Sequence, residues 1–280
     1  MDLTLSPRGL VWTDEQAVDE LGSLLQCHPG ITWVQLPAAG VETVVAAGLI
    51  DGGRRWTSAK GAFAEPVAEH ALALLLAGLR GLPERARARS WGEPAGLSLF
   101  DQPVTVVGAG GVACALLDLL RPFRAPVTVV RRHADRPLVG AVRTVGTDGL
   151  RDALRGARGV VLALALTPES RRLIGRAELA AMDSNAWVVN VARGELVDTD
   201  ALVDALRAGR IGGAALDVTA PEPLPAGHPL WRLRTCLITP HTADTEAVRR
   251  PLLAARIAGN VRRLATGEEL EGEIDPELGY

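Results

Sequence analysis

The chain has 280 residues, of which 48% are hydrophobic and 22% charged, and its formal net charge is −3. This composition is that of an ordinary globular protein large enough for two moderate domains, and it argues against a disordered chain or one that binds a polyanion. Arginines cluster near residues 85–89 and 131–136. Because aromatic residues do not interleave them, they predict solvated faces and no nucleic-acid partner.

The N-terminal residues and the cysteines predict a protein of the cytoplasm. Residues 1–7 lack a basic segment followed by an apolar one, so no secretory signal is expected. The longest apolar run, residues 71–79, falls short of the ~20 residues that span a bilayer, so no membrane partner is predicted. Cys27, Cys114 and Cys236 are far apart and lack paired metal or redox spacing. We expect reduced, mostly buried thiols and no metal site.

The predicted elements begin with a helix. Thr13 and Gln16 have the spacing of a capping box, and the apolar residues between Ala17 and Leu25 fall on one helical face. A strand at Ile31–Leu36, a turn at residues 37–40 and a long apolar helix from about 65 to 82 follow. Residues 83–103, rich in Arg, Gly and Pro without a clear period, predict a connecting loop.

Strand and helix patterns alternate from Pro103 onward. Continuous apolar strands separated by helices predict a parallel sheet covered on both faces. A final helix is expected over about residues 245–265, running back to the N-terminal domain. Six strands are predicted, at Val104–Val107, Val127–Val130, Val160–Leu164, Trp187–Val191, Ala214–Val218 and Cys236–Thr239.

A glycine-rich turn follows the first of these strands. Residues 108–113 read G-x-G-x-x-A between strand and helix. Gly108 permits the tight turn, Gly110 lets backbone approach a pyrophosphate, and the small Ala113 lets helix and strand pack closely. Phosphate would lie at the helix N-terminus. The motif predicts a dinucleotide site, although such turns also occur for steric reasons alone.

The end of the next strand bears on cofactor choice. An NAD site would normally offer an acid there to the adenosine ribose, whereas this chain has Arg131 and Arg132. Arginines can hold a 2′-phosphate through charge-assisted bonds. NADP is therefore favoured over NAD. The alternative is that both arginines are solvated surface residues.

Three later loops, at residues 190–195, 216–225 and 239–243, combine charged and polar residues at the carboxyl ends of strands. In an open parallel sheet, ligands bind outside those ends, so all three loops could reach one site.

At these residues the chain resembles the D-isomer-specific 2-hydroxyacid dehydrogenases, which include glyoxylate/hydroxypyruvate reductases, D-lactate dehydrogenases and phosphoglycerate dehydrogenases. The likeness runs from about Trp33 to Tyr280. It includes Ala68–Leu72, the G-x-G-x-x-A turn, Leu166–Glu169, Asn190–Glu195, Glu222–Pro225, His228–Trp231 and Thr239–His241.

The resemblance implies three catalytic residues. Arg193 corresponds to the substrate-binding arginine, and its forked, permanent charge suits a carboxylate and the adjacent carbonyl. His241 corresponds to the acid/base, because imidazole gives and takes a proton near neutrality. Glu222 corresponds to its partner, which stabilises the imidazolium for reduction. Taken singly, each residue could be an ordinary loop or helix-terminal group.

The resemblance also implies binding residues. The backbone N–H groups of Ala39 and Gly40 would hold the substrate carboxylate, and Asp217 would face the nicotinamide amide, although Gly40 could be a turn residue and Asp217 a strand-end cap. Of the remaining histidines, His70 is interpreted as packed at the start of its helix and the others as loop residues. The full set expected to contact the cofactor is Gly108, Gly110, Gly111, Val112, Arg131, Arg132, Leu166, Ala192 and Asp217.

The implied fold class is α/β: a doubly wound parallel-sheet (Rossmann) dinucleotide-binding domain at residues 69–248 and a smaller, truncated flavodoxin-like substrate (lid) domain at residues 1–68, completed by a C-terminal helix at 249–280. Fewer than forty residues precede Ala39, which departs from the family's longer segment and puts substrate identity in doubt. Asp244 stands where relatives usually carry Gly, Ser or Ala, and it could affect a substrate carboxylate or point away.

The function implied is hydride transfer between NAD(P)H and a small 2-oxo acid to give a D-2-hydroxy acid, with glyoxylate or hydroxypyruvate favoured, by a homodimer. Formate dehydrogenases carry glutamine in place of Glu222, and phosphite dehydrogenases carry lysine in place of Ala39, so both are disfavoured. The alternative is a dinucleotide-sensing binding protein, because the C-terminal-binding-protein corepressors share the fold and catalytic residues. Turnover of reduced cofactor with a 2-oxo acid discriminates the two.

Overall fold

The computed structural model describes residues 7–276. Residues 1–6, which form most of the segment on which the prediction of no secretory signal rests, lie outside the described residues. Residues 277–280, the end of the predicted C-terminal helix, also lie outside them. The chain divides into two units. The smaller unit comprises Met1–Phe63 and Thr245–Tyr280, and the larger unit comprises Ala64–Asp244. The boundaries predicted after residues 68 and 248 therefore differ from this division by a few residues.

The first part of the smaller unit alternates strands and helices around its own apolar core. The three strands pair in parallel in the order β1-β2-β3, and Leu21, Val34 and Trp56 are buried between sheet and helix. Its elements are β1 (Gly9–Val11), α1 (Val18–Cys27), β2 (Trp33–Gln35), α2 (Glu42–Ala46) and β3 (Arg55–Thr57).

The start of α1 differs from the prediction. The helix begins at Val18 without a side-chain cap from Thr13 or Gln16. Instead, Asp14 Oδ1 accepts the N–H groups of Gln16 (2.9 Å) and Ala17 (3.2 Å). The capping box is wrong because Asp14, one residue along, offers the acceptor to the turn that precedes the helix.

The larger unit is built on one parallel sheet with strand order β10-β9-β8-β7-β4-β5-β6. Its elements are α3 (Ala64–Leu79), α4 (Leu82–Arg87), β4 (Val104–Val107), α5 (Gly111–Leu120), β5 (Val127–Val130), β6 (Arg143–Val145), α6 (Leu150–Leu154), β7 (Gly159–Leu162), α7 (Arg176–Ala181), β8 (Trp187–Asn190), α8 (Thr199–Arg207), β9 (Gly213–Leu216) and β10 (Cys236–Ile238). The doubly wound parallel sheet expected from the sequence is confirmed.

Both faces of this sheet are covered, which explains why its strands read as continuous apolar runs. One apolar cluster joins α3 and α5 to the sheet, with Leu75 and Leu116 fully buried. A second joins α6, α7 and α8 to the opposite face, with Leu154 and Leu202 buried. The chain runs outward from β4 to β6, then returns and continues from β7 to β10. The strand order therefore reverses between β4 and β7, where ligands bind in such sheets.

Two further predictions need correction. The predicted loop at residues 83–103 begins with a helix, because Pro83 lies in the first turn of α4, where its missing N–H costs nothing. The three cysteines are not mostly buried: Cys27 and Cys114 are exposed, and Cys236 is buried. Burial raises the pKa of the Cys236 thiol to about 12.

The chain ends with α9 (Glu246–Thr266), which belongs to the smaller unit and ends before Gly267 in the left-handed conformation. Asn260 is its fully buried residue. Its Nδ2 donates to Gln35 Oε1 and to the Glu271 carbonyl, both at 2.9 Å, and its Oδ1 accepts from the Glu271 N–H at 2.8 Å. Three hydrogen bonds thus connect α9 to β2 and to the following segment. No helix within residues 7–276 has the length and apolarity needed to cross a bilayer.

Candidate active site

The glycine turn lies at the point where the strand order reverses. Gly108 follows β4 with φ +116°, and a Cβ there would lie within 3.0 Å of the Ala163 carbonyl, which follows β7. Ala163 N in turn donates to Val107 O at 2.8 Å. Only glycine fits at residue 108, because two parallel strand ends approach each other there.

The next glycine meets a different environment. Gly110, the N-cap of α5, has φ −83°, and a Cβ on it would meet no atom within 4 Å. The first hydrogen bond of α5 runs from Cys114 N to Gly110 O (3.1 Å), so the N–H groups of Gly111 and Val112 precede the helical ladder. Open space beside these donors fits a pyrophosphate, since a helix N-terminus attracts anions. The residues present therefore fit a dinucleotide.

Arg131 and Arg132, predicted to bind a 2′-phosphate, follow β5, which is the strand next to β4. Arg131 donates from Nη1 to the Arg136 carbonyl at 2.8 Å. The Nη2 atom of Arg132 lies 3.9 Å from Glu169 Oε2, and these side chains are 49% and 74% exposed. Glu169 belongs to the loop after β7, so charged groups of both signs lie beyond this part of the sheet.

The other residues expected near the cofactor lie on loops at the carboxyl ends of β7 and β8. Leu166 is half-buried against the core, and Ala192 is buried. The Leu166 loop is closed by Ser170, whose hydroxyl accepts from Thr167 N at 2.7 Å and donates to the Ala165 carbonyl at 2.9 Å. These contacts give the loop a defined shape.

Arg193 is positioned by the fully buried Asn190 at the end of β8. Asn190 Nδ2 donates to the Arg193 carbonyl at 2.8 Å, and its Oδ1 accepts from Ala192 N at 3.1 Å. The following Gly194 packs so closely on the Thr219 carbonyl that a Cβ would lie within 3.0 Å of it. The loop of Arg193 is therefore held against the loop that follows β9.

Glu222 and His241, predicted as partners, are in direct contact. His241 Nδ1 lies 2.6 Å from Glu222 Oε1, with the two side chains 48% and 41% exposed. The other Glu222 oxygen, Oε2, accepts from Thr219 N at 3.3 Å. This contact fixes the ring and leaves Nε2 as the nitrogen for proton exchange, because a histidine held at one nitrogen exchanges its proton at the other.

Asp217, at the end of β9, is 2% exposed and receives several donors. Burial opposes its charge, but the side chains of His70 and Thr239 and the N–H groups of Thr242 and Ala243 outweigh that effect and lower the pKa of Asp217 to about 2. The carboxylate therefore remains ionised at neutral pH. The sequence did not predict that Asp217 accepts these hydrogen bonds, and it assigned no role to the side chains of Asn190 and Thr239.

His70, interpreted as packed at the start of its helix, lies in α3 with a side chain that is 22% exposed, and it also makes polar contacts that the sequence did not predict. Its Nε2 lies 3.1 Å from Thr239 Oγ1 and 3.2 Å from Asp217 Oδ1. No sequence signal could have shown this, because α3 and the ends of β9 and β10 are far apart in the chain.

The residues predicted to bind the substrate carboxylate belong to the smaller unit. Ala39 and Gly40 follow β2, and the neighbouring Ala38 carbonyl accepts from Ala59 N at 2.9 Å. Among the described residues, neither the Ala39 nor the Gly40 N–H donates to another protein group. These two N–H groups have the hydrogen-bonding capacity that an anion requires. Within residues 7–276, no cluster of His, Cys, Asp or Glu could hold a metal ion.

Residues 71–243 match the family described as D-isomer specific 2-hydroxyacid dehydrogenase, NAD binding domain. The chain belongs to this dehydrogenase family. A glyoxylate reductase of Aeropyrum pernix is 32% identical over 236 residues, covering 79% of this chain and 68% of that protein. An uncharacterized protein from the proB 3′ region of Corynebacterium melassecola is 38% identical over 256 residues, covering 89% of this chain and 84% of the other.

Solved structures of dehydrogenases from the same family share the fold. A D-isomer specific 2-hydroxyacid dehydrogenase from Xanthobacter autotrophicus, in complex with NADPH and MES, superimposes with a TM-score of 0.83 at 32% identity, covering 98% of this chain and 85% of that one. An NADPH-dependent glyoxylate/hydroxypyruvate reductase from Sinorhizobium meliloti, in complex with NADP and sulfate, gives 0.82 at 25% identity, covering 97% and 85%.

Proposed function

We propose that this protein is an NAD(P)-dependent oxidoreductase that interconverts a small 2-oxo acid and its D-2-hydroxy acid. The observation that carries the proposal is the 2.6 Å contact between His241 and Glu222, in a unit whose glycine turn fits a dinucleotide. A positioned imidazole with a carboxylate partner is suited to move a proton to or from the substrate oxygen. The bound dinucleotide would supply or accept the hydride.

Each catalytic residue has a separate task in this proposal. His241 gives its Nε2 proton to the developing alkoxide during reduction and takes it back during oxidation. Glu222 stabilises the imidazolium and orients the ring. Arg193 holds the substrate carboxylate and polarises the carbonyl through its forked charge. The N–H groups of Ala39 and Gly40 supply further donors to the carboxylate.

The test is absorbance of reduced cofactor with glyoxylate, hydroxypyruvate and phenylpyruvate. His241→Ala should lower turnover roughly 10²–10⁴-fold, the usual contribution of a positioned acid/base, with little change in dinucleotide affinity. Arg193→Lys should chiefly impair use of the 2-oxo acid, because an ammonium cannot replace the guanidinium fork. Tight dinucleotide binding without turnover on any 2-oxo acid would instead support a sensor.

Glyoxylate and hydroxypyruvate are the favoured substrates. The Aeropyrum pernix and Sinorhizobium meliloti relatives named for these activities support that choice. The ratio of kcat/KM values over the 2-oxo acids measures the preference directly. A larger ratio for phenylpyruvate than for either small acid would reject it.

NADP is the favoured cofactor. Arg131 and Arg132 follow β5, and solved relatives bound to NADPH or NADP support the choice. One charge-assisted bond to a 2′-phosphate contributes roughly 1.5–3 kcal/mol, a preference of about tenfold or more. The preference should weaken as salt is raised, because Arg132 is exposed. Replacing Arg131 with Asp should reverse it. Equal binding of NADH and NADPH at low salt would show that these arginines are surface residues.

The remaining proposals concern organisation. We assign cofactor binding to the larger unit and substrate carboxylate binding to the smaller unit, in a cytoplasmic homodimer that binds neither nucleic acid nor membranes. Light scattering during size-exclusion chromatography measures the assembled mass. A monomer at micromolar concentration would reject the dimer without affecting the catalytic proposal.

A further inference from the structure

A side-chain cluster under the His241 loop has no task in the proton transfer described above. It consists of His70 on α3, Asp217 after β9 and Thr239 after β10. The His70 side chain is 22% exposed and that of Asp217 is 1% exposed. Three elements distant in the chain thus bring polar groups together where little water reaches them.

Asp217 binds the backbone on both sides of the acid/base. Its carbonyl oxygen accepts from His241 N at 2.8 Å. Its carboxylate accepts from Thr242 N at 2.9 Å through Oδ1 and from Ala243 N at 3.0 Å through Oδ2. Three successive N–H groups are therefore held by one residue, so any displacement of Asp217 also displaces the backbone of His241.

The conformation at His241 makes this support necessary. His241 has φ +52°, in the left-handed region that residues with a side chain avoid. Such a conformation costs of order 1 kcal/mol and persists only where the surrounding structure fixes it. Here the hydrogen bonds to Asp217 fix it. The direction in which the His241 imidazole points, towards Glu222, depends on this backbone conformation.

The proton of His70 can be assigned by counting donors. Thr239 has one hydroxyl proton, and its Oγ1 lies 2.5 Å from Asp217 Oδ1, an ionised acceptor that holds no proton. The Thr239 proton therefore points at Asp217. His70 Nε2 faces Thr239 Oγ1 at 3.1 Å and Asp217 Oδ1 at 3.2 Å. Both atoms are acceptors toward it, so Nε2 carries a proton and donates.

We propose that His70 is a positioning residue for the acid/base histidine. Its Nε2–H donates to the pair formed by Asp217 and Thr239, and this pair holds the loop in the conformation that brings His241 to Glu222. Without that donor the buried carboxylate loses one partner and shifts, and the imidazole loses its alignment. Small misplacements of a catalytic group lower the rate of the chemical step. The inference rests on the proposed function, because it takes His241 as the acid/base.

A matched pair of variants tests the donor. His70→Leu removes it, whereas His70→Gln places an amide N–H donor at similar reach. We expect His70→Leu to lower kcat for 2-oxo acid reduction on the order of tenfold, with KM for the dinucleotide within about twofold of wild type. His70→Gln should retain most of kcat. Unfolding temperatures of all three proteins are measured alongside.

The kinetic isotope effect separates alignment from stability. With reduced cofactor deuterated at the transferred position, the effect on kcat should be larger for His70→Leu than for wild type, because the chemical step has become slower. Equal kcat and equal isotope effect in His70→Leu and wild type would overturn the inference. Equal losses in His70→Leu and His70→Gln would also overturn it, because the donor would then be irrelevant.

A second pair keeps the test decisive if His70→Leu fails to fold. Thr239→Val removes the hydroxyl that His70 contacts, and Thr239→Ser keeps it, so kcat should fall in Thr239→Val alone. Where all variants fold, the double variant His70→Leu/Thr239→Val should lose less than the product of the single losses, because both act through Asp217. Multiplicative losses, or a Thr239→Val enzyme as fast as wild type, would overturn the inference.

Failure of the proposed function gives a different result. If wild type shows no turnover, or if His241→Ala retains wild-type turnover, the acid/base assignment fails and the positioning role fails with it. If wild type turns over and His241→Ala does not, while His70→Leu equals wild type, the positioning role alone is overturned.

Discussion

Replacing Gly110 by alanine should weaken dinucleotide binding and leave the fold intact. Gly110 has an ordinary φ of −83°, and an added Cβ meets no protein atom within 4 Å, so the free energy of unfolding should change by less than about 0.5 kcal/mol. The methyl group projects into the open space beside the first N–H groups of α5. If it displaces the pyrophosphate from one of them, the lost charge-assisted bond costs roughly 1.5–3 kcal/mol, or about 10- to 100-fold in affinity.

Gly108 provides the matched control. An alanine there must adopt φ +116° and collide with the Ala163 carbonyl, so we expect a loss of roughly 3 kcal/mol or more in stability. Fluorescence titration with NADPH and urea unfolding measure both quantities on both variants. A Gly110→Ala protein that binds NADPH as tightly as wild type would refute the assignment of the open space to the pyrophosphate.

Three further predictions follow from the described contacts. Asn260→Leu should lower the free energy of unfolding of the smaller unit by about 2–4 kcal/mol, measured by urea unfolding, because two donors and an acceptor are lost from the buried connection to Gln35. The folded-state pKa of Asp217, about 2 against an ordinary 3.8, gives a stabilisation of about 2 kcal/mol that is complete above pH 4 and is lost as the pH falls toward 2. The stability gap between wild type and Asp217→Asn should therefore narrow below pH 4, and a constant gap would contradict it. Glu222→Gln should leave the fold intact and lower kcat for 2-oxo acid reduction, because the His241 ring loses the carboxylate that orients it; an unchanged kcat would contradict the pairing.

The parallel sheet could be predicted because most of its strands are buried on both faces. Apolar runs such as Val104–Val107 have no other common explanation between helices. The edge strand β6 was missed for the opposite physical reason: Arg143–Val145 is exposed or half-exposed, so no apolar run marks it. Helix α4 was missed because Pro83 and the arginines around it have loop-like composition, although proline is compatible with a first helical turn.

The candidate site was predictable only in part. Arg193, Glu222 and His241 stand on loops directly after strands, and their residue types match one kind of chemistry. The hydrogen bonds that support these residues could not be predicted in the same way, because the donors to Asp217 come from α3 and from the loop after β10. Hydrogen bonds between distant segments leave no periodicity and no local spacing. The same holds for Asn190, whose amide could have been read simply as a strand-end residue.

The larger unit is one continuous stretch, whereas the smaller unit is assembled from both ends of the chain. The bond between Asn260 and Gln35 joins residues 225 positions apart. Closing so long a loop is entropically costly while residues 64–244 are unfolded, and prior folding of that stretch lowers the cost by about 1.4 kcal/mol. Loop-closure entropy therefore favours an order in which the middle stretch folds before the two ends of the chain close the smaller unit. Ile274, which follows α9, is buried with Leu21, Val34 and Trp56, so a nascent chain that lacks the C-terminal segment has an incomplete core in the smaller unit.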